Sequence, residues 1–229
     1  PALSPDGRLL AVVTRSLNGP SRLVVWNAAG DPPDSSLIRA RQRLLQRDPL
    51  DVPDVDSFPR PRRSLAMLHP VAGRSHELPR WMPDGVRLLV SRDEPLGDGT
   101  SRPDLFLWNH RSGTLHRVTW GAGIRHADPS PDGRTAAAVR CHAGICSLVL
   151  VNLAGGSWRV LAPWAPEVVW HRPRWSPDGV SIVASYQAEG RWQVAIVDAR
   201  TGTARRVGPG DDAARYAPSF TRSGREVVV

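Results

Sequence analysis

The sequence predicts an all-β protein, a partial β-propeller of four-stranded antiparallel blades with about five repeat units in 229 residues. Three observations predict it. A Pro-Asp-Gly turn recurs ahead of aliphatic runs, a second turn glycine recurs later in each unit, and the composition is crowded with turn formers, 22 prolines and 20 glycines. Proline and glycine at that density punctuate short strands and leave little room for long helices.

The turns are Ser4-Pro-Asp-Gly7, Met82-Pro-Asp-Gly85, Ser130-Pro-Asp-Gly133 and Ser176-Pro-Asp-Gly179, with a degenerate copy at Thr221-Arg-Ser-Gly224. Their last three glycine intervals are 48, 46 and 45 residues, whereas the first is 78. The later landmark is a strand that ends in a turn glycine: Leu23–Gly30, Ser64–Gly73, Asp104–Gly113, Ser147–Gly155 and Trp192–Gly202. Its spacings are 43, 40, 42 and 47, which places a second unit between residues 31 and 80 whose first half has lost the turn signature.

Each unit reads the same way. Proline fixes φ, aspartate bonds the local backbone and glycine takes the positive-φ corner. Five or six aliphatic residues follow, as in Arg8–Val13 or Val180–Ala184, the length of a buried strand. A polar turn such as Arg15–Pro20 or Gln187–Gly190 leads to the third strand, and a short outer strand such as Leu115–Thr119 completes the sheet. One such sheet has two apolar faces, so sheets must stack around an axis to bury both. Trp81 and Trp175, just before their turns, are placed to fill the gaps between neighbouring sheets.

The whole chain, 1–229, reads as one propeller domain or a fragment of one, with residues 31–63 a deviant insertion or degenerate half-blade. Within that stretch, Ser35–Arg47 fits a short amphipathic helix with Leu37, Leu44 and Leu45 on one side, and equally an outer strand. Asp48–Asp56 reads as an irregular acidic loop without calcium-loop spacing, followed by basic Arg60–Arg63. The chain begins without methionine and ends in an apolar run, so a longer parent protein is expected.

These repeats resemble the WD40-like (PD40) units of TolB-type propellers. Trp175-Ser-Pro-Asp-Gly179 with Ile196–Gly202 carries nearly the whole pattern, and Trp81–Gly85 and Ser130–Gly133 carry most of it. The resemblance implies six to eight blades in a complete ring and no catalytic role for the motif residues. It further implies a non-catalytic scaffold that binds a protein or peptide in the periplasm or cell envelope, free or as part of a lipoprotein, with a cytoplasmic location as the alternative. The other functional reading is the regulatory or gating propeller of a prolyl-oligopeptidase-like serine peptidase whose catalytic domain lies outside this chain.

The formal charge of +8 comes wholly from arginine, since lysine is absent. With abundant Ala, Gly, Pro and Val, this fits the coding bias of a high-GC bacterium. The arginines are dispersed, which disfavours nucleic acid and leaves acidic partners preferred. No apolar run approaches the length needed to cross a bilayer. Nucleophile-elbow, zinc-protease, phosphate-loop and dinucleotide signatures are missing, so no catalytic residue, metal ligand or cofactor is assigned.

Candidate binding residues lie just ahead of the turns, where the chain enters the innermost strand. His76, His126 and His171 sit nine, seven and eight residues before their turn glycines, offsets that argue against equivalent placement in a metal site. Arg80, Arg125 and Arg174 are positioned to make an anion-attracting mouth. Cys141 and Cys146 bracket a hairpin, where they form either a disulfide, as in an exported protein, or two reduced thiols. Trp120, Trp164 and Trp170 are the tryptophans that the repeat explains least; core packing or a carbohydrate surface are the two readings for them.

Overall fold

The computed structural model describes residues 1–15, 21–31, 35–47, 63–163, 165, 168–188, 190–208 and 213–229. Four sheets have four antiparallel strands each, and a fifth has two. The first sheet joins β1 (Ala2–Leu3), β2 (Leu9–Thr14), β3 (Arg22–Asn27) and β4 (Ala66–Leu68). The second joins β5 (His76–Trp81), β6 (Arg87–Pro95), β7 (Ser101–Asn109) and β8 (Leu115–Arg117). β9 (Ile124–Pro129), β10 (Thr135–His142), β11 (Ile145–Asn152) and β12 (Trp158–Ala162) make the third. β13 (Val169–Trp175), β14 (Ser181–Ala188), β15 (Arg191–Asp198) and β16 (Ala204–Val207) make the fourth, and β17 (Ser219–Phe220) with β18 (Val227–Val228) the fifth. The chain is thus an arc of β-propeller blades.

The recurring turn supplies the corner between the first and second strand of each sheet. Ser4, Ser130 and Ser176 donate their hydroxyls to Asp6, Asp132 and Asp178 at 2.6, 2.6 and 2.5 Å. The same oxygens accept the amides of Leu9, Thr135 and Ser181, which starts the second strand. Gly7, Gly133 and Gly179 take φ of 75, 69 and 72°, a region glycine enters without a Cβ clash. The serine bonds hold these three carboxyls below the ordinary aspartate range.

Alternation along the second and third strands sends successive side chains to opposite neighbours. Leu88, Val90, Phe106 and Trp108 pack with Ala11, Leu23 and Val25 of the first blade, and Trp81 fills this interface. Leu89, Leu105 and Leu107 face Ala136, Ala138, Val149 and Val151 of the third blade. Ala137, Val139 and Leu148 face Ile182, Ala184, Ala195 and Val197 of the fourth, with Trp175 and Trp170 against them. Among the described residues the core is therefore three interblade seams, aliphatic in the middle one and mixed aliphatic and aromatic in the outer two.

Two sequence expectations need correction. Ser64–Gly73 does not mark a separate unit: Leu68, Met67 and Ala66 pair with Leu23, Val24 and Val25, so β4 is the outer strand of the first sheet. The 78-residue interval arises because the connection from β3 to β4 is long and contains a helix, α1 (Ser35–Arg47). Leu44 and Leu45 of α1 are exposed; the side chain of Leu37, the loop 48–56 and residues 60–62 lie outside the described residues. In the third unit the landmark glycine is Gly156, not Gly155. Its amide donates to Asn152, as Gly113 does to Asn109 and Gly202 to Asp198, each closing the same four-residue span.

Candidate functional site

The first strands of successive sheets lie against one another, β1 on β5, β5 on β9, β9 on β13 and β13 on β17, which puts them around the propeller axis. In the second to fifth blades this inner segment is interrupted at the same place, within β5, β9 and β13 and just ahead of β17. Leu78, His126, Arg172 and Ala217 all have positive φ, at 41, 56, 47 and 56°, and all stand seven residues before their turn glycine. The pairing register of β5, β9 and β13 with their neighbours shifts there. A left-handed residue in a strand makes a bulge that re-aims the side chains around it. Because the bulge repeats, equivalent residues of neighbouring blades meet.

Two residues after the bulge stand Arg80, Asp128 and Arg174. Asp128 is nearly buried, and its Oδ1 lies 3.2 Å from Arg80 Nε and 3.9 Å from Arg174 Nη1. Its Oδ2 accepts the backbone amide of Trp175 at 2.8 Å. Burial pushes the Asp128 carboxyl up to about 6, against the pull of Arg80 and the Trp175 amide. Burial likewise lowers the Arg80 guanidinium, with Asp128 opposing. The arginine–aspartate contact is an ion pair without good hydrogen-bond alignment at Arg80 Nε.

At and just before the bulge a second group assembles from four blades. Glu77 Oε2 lies 3.9 Å from His126 Nε2. The His126 ring meets His171 edge-on at 4.1 Å. His171 Nδ1 is 2.7 Å from the hydroxyl of Tyr216, and Trp192 packs against both His171 and Tyr216. Arg172 stacks over the Tyr216 ring at 4.9 Å. The Nε atoms of Arg125 and Arg172 and Nδ1 of His126 are buried without a hydrogen-bond partner among the described residues. Burial first, then His171, Arg125 and Arg172, drives His126 down to about 3. Burial first, then Arg172 and Arg125, drives His171 down to about 4.

The structure brings Arg80, Arg125, His126, His171 and Arg174 to this region, with Arg80 and Arg174 occupied by Asp128. His76 lies elsewhere, in the seam between the first two blades: its amide donates to Ser21 Oγ at 2.6 Å and its Nδ1 lies 3.2 Å from Ser21 O. Glu77, Asp128, Arg172, Trp192 and Tyr216 were not singled out by sequence. Counting back from each turn glycine would have found four of them: Glu77 and Tyr216 share an offset of eight with Arg125 and His171, Arg172 one of seven with His126, and Asp128 one of five with Arg80 and Arg174.

Among the described residues no group of three His, Cys, Asp or Glu side chains could hold a metal ion. Cys141 and Cys146 face each other across the β10–β11 hairpin and are joined by a disulfide. Trp170 is buried beside Tyr186, whereas Trp120 is exposed; Trp164 lies outside the described residues. No described helix is long and apolar enough to cross a membrane.

No protein-family model matches the chain, and no curated protein is similar to it in sequence. Among solved structures it is similar to TolB from Acinetobacter baumannii, with 16% identity and a TM-score of 0.62 over 94% of this chain and 44% of that one. A putative TolB from Agrobacterium tumefaciens matches at 18% identity and a TM-score of 0.62, over 89% of this chain and 62% of that one. Kuenenia stuttgartiensis hydrazine synthase matches at 15% identity and a TM-score of 0.53, over 99% of this chain and 71% of that one. At these identities the likeness shows the fold alone, a β-propeller. The chain spans about half the length of the TolB structures it matches, 44% in one case and 62% in the other.

Proposed function

We propose that this chain is the binding part of a non-catalytic propeller scaffold that engages a protein or peptide partner at the inner strands, in the bacterial envelope. The observation that carries the reading is the repeated left-handed bulge, which gathers Glu77, Arg125, His126, His171, Arg172 and Tyr216 from four blades. Rigid strands that converge polar groups on one axis are how propellers present a binding surface. The cationic excess of this group favours an acidic partner. The Cys141–Cys146 bridge supports an oxidising compartment, where disulfides persist.

The test is site-specific photo-crosslinking in the full-length protein in its native cell. A benzophenone side chain placed at Tyr216 should give a discrete protein adduct, and the same group at exposed Trp120 should not. No adduct from Tyr216, or equal adducts from both positions, would remove the reading.

A further inference from the structure

Arginine carries its charge at every physiological pH, so a buried guanidinium normally faces an anion. Arg80 and Arg174 obey this through Asp128. Arg125 and Arg172, each half-buried as a whole, do not: no carboxylate is paired with either among the described residues, and their Nε atoms are buried and unbonded. Arg125 adjoins His126 and Arg172 adjoins His171 in their strands, the two rings meet at 4.1 Å, and both arginines act on both imidazoles, which keeps the two guanidiniums close to the His126–His171 pair. The groups facing that pair are Glu77 from β5, Arg125 from β9, Arg172 from β13, Trp192 from β15 and the Tyr216 phenol. Glu77 lies on the His126 side and is more than one-third exposed, so it leaves the Arg172 side uncompensated. Tyr216 and Trp192 wall that side with aromatic surface and one hydroxyl.

We propose that Arg125 and Arg172 form a carboxylate-binding site, filled by an acidic side chain or the C-terminus of a bound peptide, with Tyr216 and Trp192 as its wall. The inference rests on the partner-binding reading above and adds the chemistry of what the partner inserts. A carboxylate suits the site because a guanidinium presents two parallel donors to it. Proton uptake follows from the same geometry. A carboxylate between the arginines offsets their share of what keeps His126 and His171 neutral, burial being the larger share, so the affinity of the rings for protons rises when the site fills.

The experiment uses labelled hexaglutamate and hexaglutamine peptides, each with free and amidated C-termini, and fluorescence anisotropy at low salt on the whole chain. Hexaglutamate should bind at least about tenfold more tightly than hexaglutamine. If only free C-termini bind, the chain end is the source of the carboxylate; if amidation changes nothing, the side chains are. Arg125→Gln with Arg172→Gln should abolish the preference, whereas Arg111→Gln with Arg134→Gln, an equal charge change on exposed residues, should preserve it. In wild-type protein hexaglutamate should shift the His171 ring resonances and raise the His171 midpoint in an NMR titration. Equal binding of the amidated Glu and Gln peptides with no response to a free C-terminus, or equal losses in the two double variants, overturns the site. In that case a Tyr216 adduct would still stand for partner binding; a working carboxylate site without the adduct would reject the protein partner instead.

Discussion

Asp128 accepts the backbone amide of Trp175 across a blade boundary at 2.8 Å. Its other oxygen lies 3.2 Å from Arg80 on the opposite neighbour, so one buried side chain joins three consecutive blades. The apolar seams give the blades affinity without direction, and this polar contact adds a fixed position around the axis.

Asp128→Ala should therefore cost about 3 kcal/mol, because it strands a buried guanidinium and an amide together. Asp128→Asn should cost less than Asp128→Ala, since an amide oxygen still accepts from Trp175 although Arg80 loses its anion. The sign with pH follows from the carboxyl at about 6. The folded state holds this proton where the unfolded chain, at about 3.9, has lost it. The contribution is thus fully present below about pH 4 and is lost as pH rises to about 6. Urea denaturation at several pH values checks both points, and Asp128→Asn should flatten that part of the profile.

The turn glycines divide into two kinds, and substitution separates them. A Cβ at Gly156 would meet Val118 O at 2.0 Å, and one at Gly202 would meet Leu161 O at 2.0 Å, in both cases backbone of the preceding blade. Gly113 occupies the equivalent turn with φ of 76° and nothing within 4 Å. Gly113→Ala should cost about 1 kcal/mol, the expense of a left-handed residue. Gly156→Ala and Gly202→Ala should each cost at least about 3 kcal/mol, because the blades must also separate. Thermal unfolding of the three variants decides it, and equal losses would refute the close approach.

Much of the fold was legible because its determinants are local. Pro-Asp-Gly corners, aliphatic runs and Trp81 each act within a few residues or on the next sheet, and all occur where the sequence puts them. The error at Ser64–Gly73 has a physical source. An outer strand and a third strand both show a few aliphatic residues before a turn glycine, and only the long-range pairing of Leu68 with Leu23 tells them apart. The candidate site was half legible for a similar reason. Histidine and arginine near the turns drew notice by type, but which of them meet depends on a bulge that leaves no residue signature, since Leu, His, Arg and Ala occupy it.

The bulge itself is testable at Ala217, which has φ of 56° and whose amide donates to Ser185 Oγ at 3.0 Å. Ala217→Gly removes the Cβ penalty while the unfolded chain gains freedom, so it should lie between neutral and about 1 kcal/mol stabilising. Ala217→Val should cost more than about 1 kcal/mol, because a β-branched residue resists this conformation most. Chemical denaturation checks the order Gly, Ala, Val. An ordinary strand preference, with Val best, would show that no left-handed residue stands there.

The two histidines of the site should titrate far below their usual range. Burial disfavours the imidazolium, and Arg125 and Arg172 add to that effect, with midpoints at about 3 for His126 and about 4 for His171. Both folded values lie under the unfolded value of about 6.5, so the unfolded chain binds protons that the folded one refuses. Stability should fall as pH drops from about 6.5 toward 4, opposite in sign to the Asp128 contribution. Ring-proton NMR resolves the two residues directly, and midpoints near 6.5 would mean that the rings are neither buried nor faced by the arginines. Arg172→Gln should raise the His171 midpoint while leaving the His171 ring buried, since it removes the largest charge acting on that ring and keeps the side-chain bulk.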